Sequence, residues 1–527
     1  MTNILLLNRK IVIYALISIV VVSTTTGLIF MSEHFMKPQA ELADIFIDSD
    51  QSFRAYDFKG KGTKESPYLI ENLHINSEKQ YNIHMRFTTK FFTIRNCLIE
   101  NNENVGLFLY KIAAGSALIE NNTFSSNIGI NLIKTNDIII KENVFTDFSY
   151  GIKFYLSSNN SIIKNDFFNS LEEDPYFGIF GTCTKIESSN LCNFQNNTCF
   201  NTTNGLELFN TKSIDVDYNN FTSNKLGINA ENAISSNFNN NLFNINEDGF
   251  LLINSPYSSL NDNEFISNGL TIDERYAPFY DTYSLDNNFV NNREIGLFVC
   301  KKNLTINEPL YGQLIIVLCE NVIIRNQNLN NASSGLYLVE NRNVQILNNT
   351  FKFNFNYGIY FERSHENNIV NNTISNNLMG LFLDRSNYSS IENNTIDSNR
   401  FGLFFHYANR CNITGNTINY NIIKAITSER KCDYFTITFN HFEANIGYAI
   451  FISDQLFYNI HHNSFIDNAH DKTAQCFDSP YPDLKNFWYE IYLEEGNYWS
   501  DWSGVGDYYL DGGGSIKDRF PLSVPPV

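Results

Sequence analysis

The chain has 527 residues, with 37 Lys and Arg against 56 Asp and Glu and a formal net charge of −19. Hydrophobic residues make up 43% and aromatic residues 15%, which excludes a wholly disordered chain. The acidic balance excludes a nucleic-acid backbone as partner, because binding one needs clustered Lys and Arg.

Arg9 and Lys10 precede residues 11–31, a run of 21 without a charge. That length spans a bilayer as a helix, and the basic flank keeps its N-terminal side in the cytoplasm. Residues 1–35 are therefore read as a single-pass membrane anchor, one N-terminal hydrophobic helix with the bulk of the chain outside the cell membrane. A cleaved signal sequence with its apolar stretch at 11–22, and a secreted product, is the alternative. All nine cysteines follow this segment, and no CxxC pair occurs among them. Cys183 with Cys192 and Cys411 with Cys432 are candidate disulfides in an oxidising compartment. Scattered buried thiols are the competing reading.

Beyond the anchor one signal dominates: Asn, any residue, then Phe or Ile. It recurs from Asn122, Asn143, Asn165 and Asn197 through to Asn416, Asn440 and Asn463. A second signal runs in phase, Gly-apolar-any-apolar, for example from Gly335, Gly358, Gly380 and Gly402. Neighbouring spacings are mostly 21 to 24 residues. Each repeat thus holds short strands of alternating pattern separated by Asn- and Gly-rich turns. A four-residue strand cannot bury a face alone, whereas parallel stacking gives every strand two neighbours and makes one apolar column. The expected fold is all-β, a right-handed parallel β-helix of about fifteen coils, a rod of about 70 Å. Residues 36–92 are assigned to an N-terminal cap with opening strands, 93–467 to the β-helix and 468–527 to a C-terminal cap. Asparagines at one position per coil are expected to stack along the axis. The loop between Asn165 and Asn197, containing Leu171 to Pro175, is long enough to wall a groove.

The segments GLFLDRSNYSSIENNTI (380–396) and GLFFHYANRCNITGNTI (402–418) resemble the NosD-like β-helix family. KGKGTKESPYLIENLHI (59–75) is similar to the opening segment of such proteins, and residues 474–504 to their closing segment. Copper binding is what the resemblance implies for some members. The residues oppose it: only Met85 and Met379 lie in the helical body, with no Met- or Cys-rich motif. The one histidine cluster is His461-His462 with His441 and His470, read as turn histidines rather than ligands. An aspartate-rich closing stretch would imply calcium, and Asp507, Asp511 and Asp518 leave that cation open without the tight spacing of a calcium loop.

Alternation along the strands after the repeat glycines sends Leu336/Leu338, Ile359/Phe361, Leu381/Leu383 and Leu403/Phe405 inward. Tyr337, Tyr360, Phe382 and Phe404 then form an outward aromatic stripe, expected to be exposed. The next outward column reads Val339, Glu362, Asp384 and His406, followed by Arg363 and Arg385. Arginine beside carboxylates, a histidine and aromatic faces suits a uronate sugar, whose carboxylate a guanidinium neutralises. Glu362, Asp384, His406 and Arg385 are the candidate catalytic set, and Tyr337, Tyr360, Phe382, Phe404 and Arg363 the candidate glycan contacts. Three roles fit: binding a polysaccharide or cell-surface glycan, serving as a structural surface rod, or processing a polysaccharide as a lyase, epimerase or hydrolase. A maturation accessory role of the NosD type is a fourth, implied by the resemblance.

Overall fold

The computed structural model describes residues 42–169, 181–479, 486–512 and 516–526. The apolar run at 11–31 and residues 171–175 lie outside these. Among the described residues no helix is long and apolar enough to cross a membrane; the helical elements there are the 3-10 turns Ser52–Ala55 and Ala277–Thr282.

One coil shows how the sequence folds. Its three strands are Thr395–Asp397, Phe401–His406 and Asn412–Thr414, and Ile396, Leu403, Phe405 and Ile413 point into a sealed core. Met379–Asp384 of the preceding coil pairs parallel with Phe401–His406, setting Leu381 opposite Leu403 and Asp384 opposite His406. The repeat glycine permits this stacking: a Cβ at Gly380 would lie 2.7 Å from the carbonyl oxygen of Gly402. The Asn-Asn-Thr triplet makes the corner. Asn393 adopts a left-handed φ of 53°, which asparagine tolerates better than most side chains. Asn394 turns its amide inward, accepting from the Asn372 N–H and donating to the Ile369 carbonyl, both at 2.8 Å. Buried corner backbone is thereby paired. The expected ladder runs Asn349, Asn372, Asn394, Asn416, Asn440, Asn463. A second one, Asn354, Asn377, Asn399, Asn421, Asn445, Asn468, serves the next corner.

The right-handed parallel β-helix holds, but its column is broken. A ten-stranded sheet runs from Tyr68–Glu71 to Ser284–Asp286, and an eight-stranded one starts anew at Thr305–Ile306. Between them Phe289–Val290 pairs antiparallel with Arg293–Val299. Asn291 and Asn292 turn this hairpin with φ of 51° and 65°, the two consecutive left-handed residues of a type I′ turn. The molecule is therefore two stacks with two cores and about eighteen turns together, which corrects the single fifteen-coil rod.

The second stack closes the end of the first with its outward face. Ile315, Val317, Tyr337, Val339 and Tyr360 point away from their own coils and join the core of the first stack. Gln313 completes the seal: its Oε1 accepts from the Leu270 N–H at 3.0 Å and its Nε2 donates to the Leu270 carbonyl at 2.7 Å. The amide thus replaces the missing next strand. Beside it the Asp248 carboxylate accepts from Ser333 Oγ and from Asn356 Nδ2. Burial pushes that carboxyl up to about 7. An aspartate whose folded value exceeds its unfolded one contributes stability below the unfolded value, and loses it as pH rises through the folded one. Between pH 5 and 8 the protein is expected to lose about 1–3 kcal/mol that Asp248→Asn does not lose, as read from denaturant melts at each pH.

All nine cysteines are unpaired, and eight are buried. The candidate disulfides are corrected: Cys183 lies in the strand Thr182–Glu187, with its thiol at Thr202 Oγ1, and Cys192 lies at the next corner, facing the Ser157 carbonyl. Cys411 and Cys432 direct their thiols to the carbonyls of Ser386 and Glu429.

Candidate functional site

The candidate residues do share the outward face of the second stack. Strand register sets Tyr337, Tyr360, Phe382 and Phe404 in one column, and Val339, Glu362, Asp384 and His406 in the next. Their exposure differs from expectation. Tyr337 and Tyr360 are 5% and 1% exposed, because the end of the first stack lies on them, Tyr280 included. Both are core residues and neither presents a ring face. Phe382 packs against the rim of that junction and stays half-buried, with Phe404 edge-on to it at 5.2 Å. The aromatic surface continues past the expected stripe to Phe451 and Phe477, half-buried and stacked at 4.6 Å. Tyr360→Ala is expected to cost about 3–5 kcal/mol of stability and Phe404→Ala about 1 kcal/mol or less, measured by parallel denaturant melts.

The charged column divides in the same way. Glu362 is buried and ion-paired with Arg363, Nη1 to Oε1 at 3.1 Å, while Arg363 Nε also meets Glu340 at 2.8 Å. Both residues are engaged at the junction. Asp384, also buried, lies 2.7 Å from His406 Nδ1. Arg385 stands over it, 3.8 Å from the second carboxylate oxygen, with half its side chain in solvent. The carboxylate selects the tautomer that carries the proton on Nδ1, leaving Nε2 to accept or return one.

The column has a further member that sequence reasoning missed. Glu429 pairs in register with His406, and burial pushes its carboxyl up, against the opposing charges of Lys424, His406 and Arg430. Lys424, on the same strand, lays its ammonium 3.2 Å from the centre of the Phe451 ring. Burial pushes this amine down to about 8. The strand escaped notice because Ala425 occupies the place of the repeat glycine, opposite Gly402. On the next coil Gly447 is out of phase with the repeat glycines: Ile426 pairs with Ile450, so Ala449 stands in their place.

The remaining candidates scatter. His461 and His462 meet through their Nδ1 atoms at 2.6 Å, and His462 Nε2 contacts Glu495 at 2.7 Å, pinning the closing segment to the last coils. His441 contacts Glu443 at 3.2 Å. Asp507 pairs with Lys517, Asp511 accepts from Tyr448, and Asp518 accepts from Trp499 Nε1 and the Asn497 N–H. These aspartates serve separate internal contacts and do not converge on a calcium. Among the described residues no group of three or more His, Cys, Asp or Glu could hold a metal ion.

A family described as periplasmic copper-binding protein (NosD) matches residues 172–308 and 305–504, and one described as right handed beta helix region matches 58–173. No curated protein matches the chain. Among solved structures, the periplasmic alginate epimerase AlgG is 10% identical, covering 65% of this chain and 73% of its own, with a TM-score of 0.24. The mannuronan C-5 epimerase AlgE6 A-module of Azotobacter vinelandii is 12% identical, covering 75% and 92%, with a TM-score of 0.19. The Dettilon tailspike protein is 12% identical, covering 67% and 60%, with a TM-score of 0.22. Likenesses this distant say nothing of chemistry.

Proposed function

The chain belongs to the NosD family of β-helix proteins, and we propose that it works outside the cytoplasm, held by residues 11–31, binding an acidic glycan along the outward face of its second stack. The observation that carries this reading is the Asp384–His406 pair at 2.7 Å, set beside half-exposed Phe382 and Phe404 and beneath exposed Arg385. Ring faces give sugars apolar contact, and a guanidinium gives a uronate its carboxylate partner. Tyr337, Tyr360 and Glu362, on the preceding coils of the same columns, brace the junction together with Arg363 rather than touching the ligand.

Arg385→Ala is expected to weaken binding of trigalacturonate about 5- to 20-fold, and of its neutral methyl ester by less than about 2-fold, in calorimetric titrations. Equal affinities in both proteins, or no binding at all, would leave the face as the surface of a structural rod.

A second reading is favoured by the same pair. Asp384 fixes His406 so that Nε2 can take the proton from the carbon beside a uronate carboxylate, an acidic position once Arg385 neutralises that group. The protein then processes the glycan as well as binding it. Among the described residues the copper in the family's description finds no set of methionine and thiol donors. Met85 is fully buried in the core, Met379 stands without a second methionine, and eight of the nine cysteines are sealed inside the coils.

A further inference from the structure

We propose that the strand Lys424–Glu429 holds an anion subsite, in which Lys424 and Thr427 take the carboxylate of a uronic-acid residue one coil beyond His406. This deepens the proposed glycan binding and rests on it.

Three observations meet at this coil. The first is an interrupted column: in register the outward aromatics read Phe382, Phe404, then Thr427, then Phe451 and Phe477. A small polar residue, itself fully buried, replaces one ring between two half-exposed ones. The second is the Lys424 ammonium. It is half-buried, lies against the face of Phe451, and among the described residues no carboxylate comes within ion-pair distance of it. A ring face replaces lost hydration poorly, whereas a carboxylate supplies charge-assisted hydrogen bonds. The third is Thr427 itself. Its side chain is fully buried, and its Oγ1 has no hydrogen-bond partner among the described residues. Buried hydroxyls are normally paired, so this one is a donor in reserve.

The aromatic setting selects the ligand. Free phosphate or a metal-bound anion gains nothing from Phe404 and Phe451, while a sugar acid places its ring on them and its carboxylate on the lysine. Glu429 works in the same direction: where its carboxyl is protonated it does not repel the incoming anion. It stands in register with His406, while Lys424, at the other end of the strand, stands opposite Phe401. A glycan held at Lys424 would therefore have to run obliquely across the strand to meet His406.

Lys424 can be followed directly by carbon NMR of the reductively dimethylated protein, its signal assigned by loss in Lys424→Gln. The probes are galacturonate, trigalacturonate and trigalacturonate methyl ester. The Lys424 signal is expected to titrate about one pH unit or more higher with either acid present and to stay put with the ester. Lys424→Gln should weaken trigalacturonate about 10-fold or more without touching the ester, and Lys424→Arg should retain most of the affinity. A Lys424 signal unmoved by saturating galacturonate and trigalacturonate overturns the subsite, as does an equal loss of both trisaccharides in Lys424→Gln. If galacturonate moves Lys424 while trigalacturonate fails to bind, the subsite stands and the glycan reading falls.

Discussion

Replacing Gln313 by Ala is expected to cost the protein about 2–4 kcal/mol, from one side chain at the junction of the two stacks. Its amide satisfies both the N–H and the carbonyl of buried Leu270, across 43 residues of sequence. Each unpaired buried group costs about 1–3 kcal/mol, and the shortened side chain adds a void. Gln313→Leu restores the volume and leaves the same two groups unpaired, so it should lose nearly as much. Because the two stacks have separate cores joined at this face, urea melts of either variant should broaden or split into two transitions. A Gln313→Leu protein as stable as the wild type would show that the seal depends on shape alone.

Removing His406 should have the largest effect on chemistry. If the Asp384–His406 pair moves the proton, His406→Ala lowers turnover of a uronate polymer about 100- to 10,000-fold, the usual contribution of a positioned base. Binding should change by less than about 3-fold, because Arg385 and Lys424 hold the charge. Asp384→Asn should fall within about the same range, since an amide oxygen no longer compels the Nδ1–H tautomer with the strength of a carboxylate. The assay follows uronate conversion at fixed pH, with melts to confirm that both variants fold. Full turnover in His406→Ala would remove the pair from the chemistry.

The coil was legible in the sequence because its corner is chemical: Asn393 takes the left-handed bend and Asn394 builds the ladder. The break between the stacks was not, because the hairpin uses the same dipeptide. Asn291-Asn292 differs from Asn393-Asn394 in the φ of its second residue, 65° in the hairpin, and nothing in the letters encodes that. Likewise, alternation gives the side of its own strand on which Tyr360 lies, and register sets Glu362, Asp384 and His406 in line. Neither reveals that another stack settles on Tyr337 and Tyr360 while sparing Phe404. Lys424 and Glu429 were missed for a smaller reason. Alanine fits where the repeat has glycine, so Ala425 hid the strand while leaving its geometry intact.

Hydrogen–deuterium exchange with and without saturating trigalacturonate tests the location of the site most directly. Slower exchange should appear in Met379–Asp384, Phe401–His406 and Lys424–Glu429, with none in Ser390–Glu392, Asn412–Thr414 or Thr417–Asn419 on the other sides of the same coils. Protection confined to those other strands, or to the first stack, would contradict a glycan site on this face.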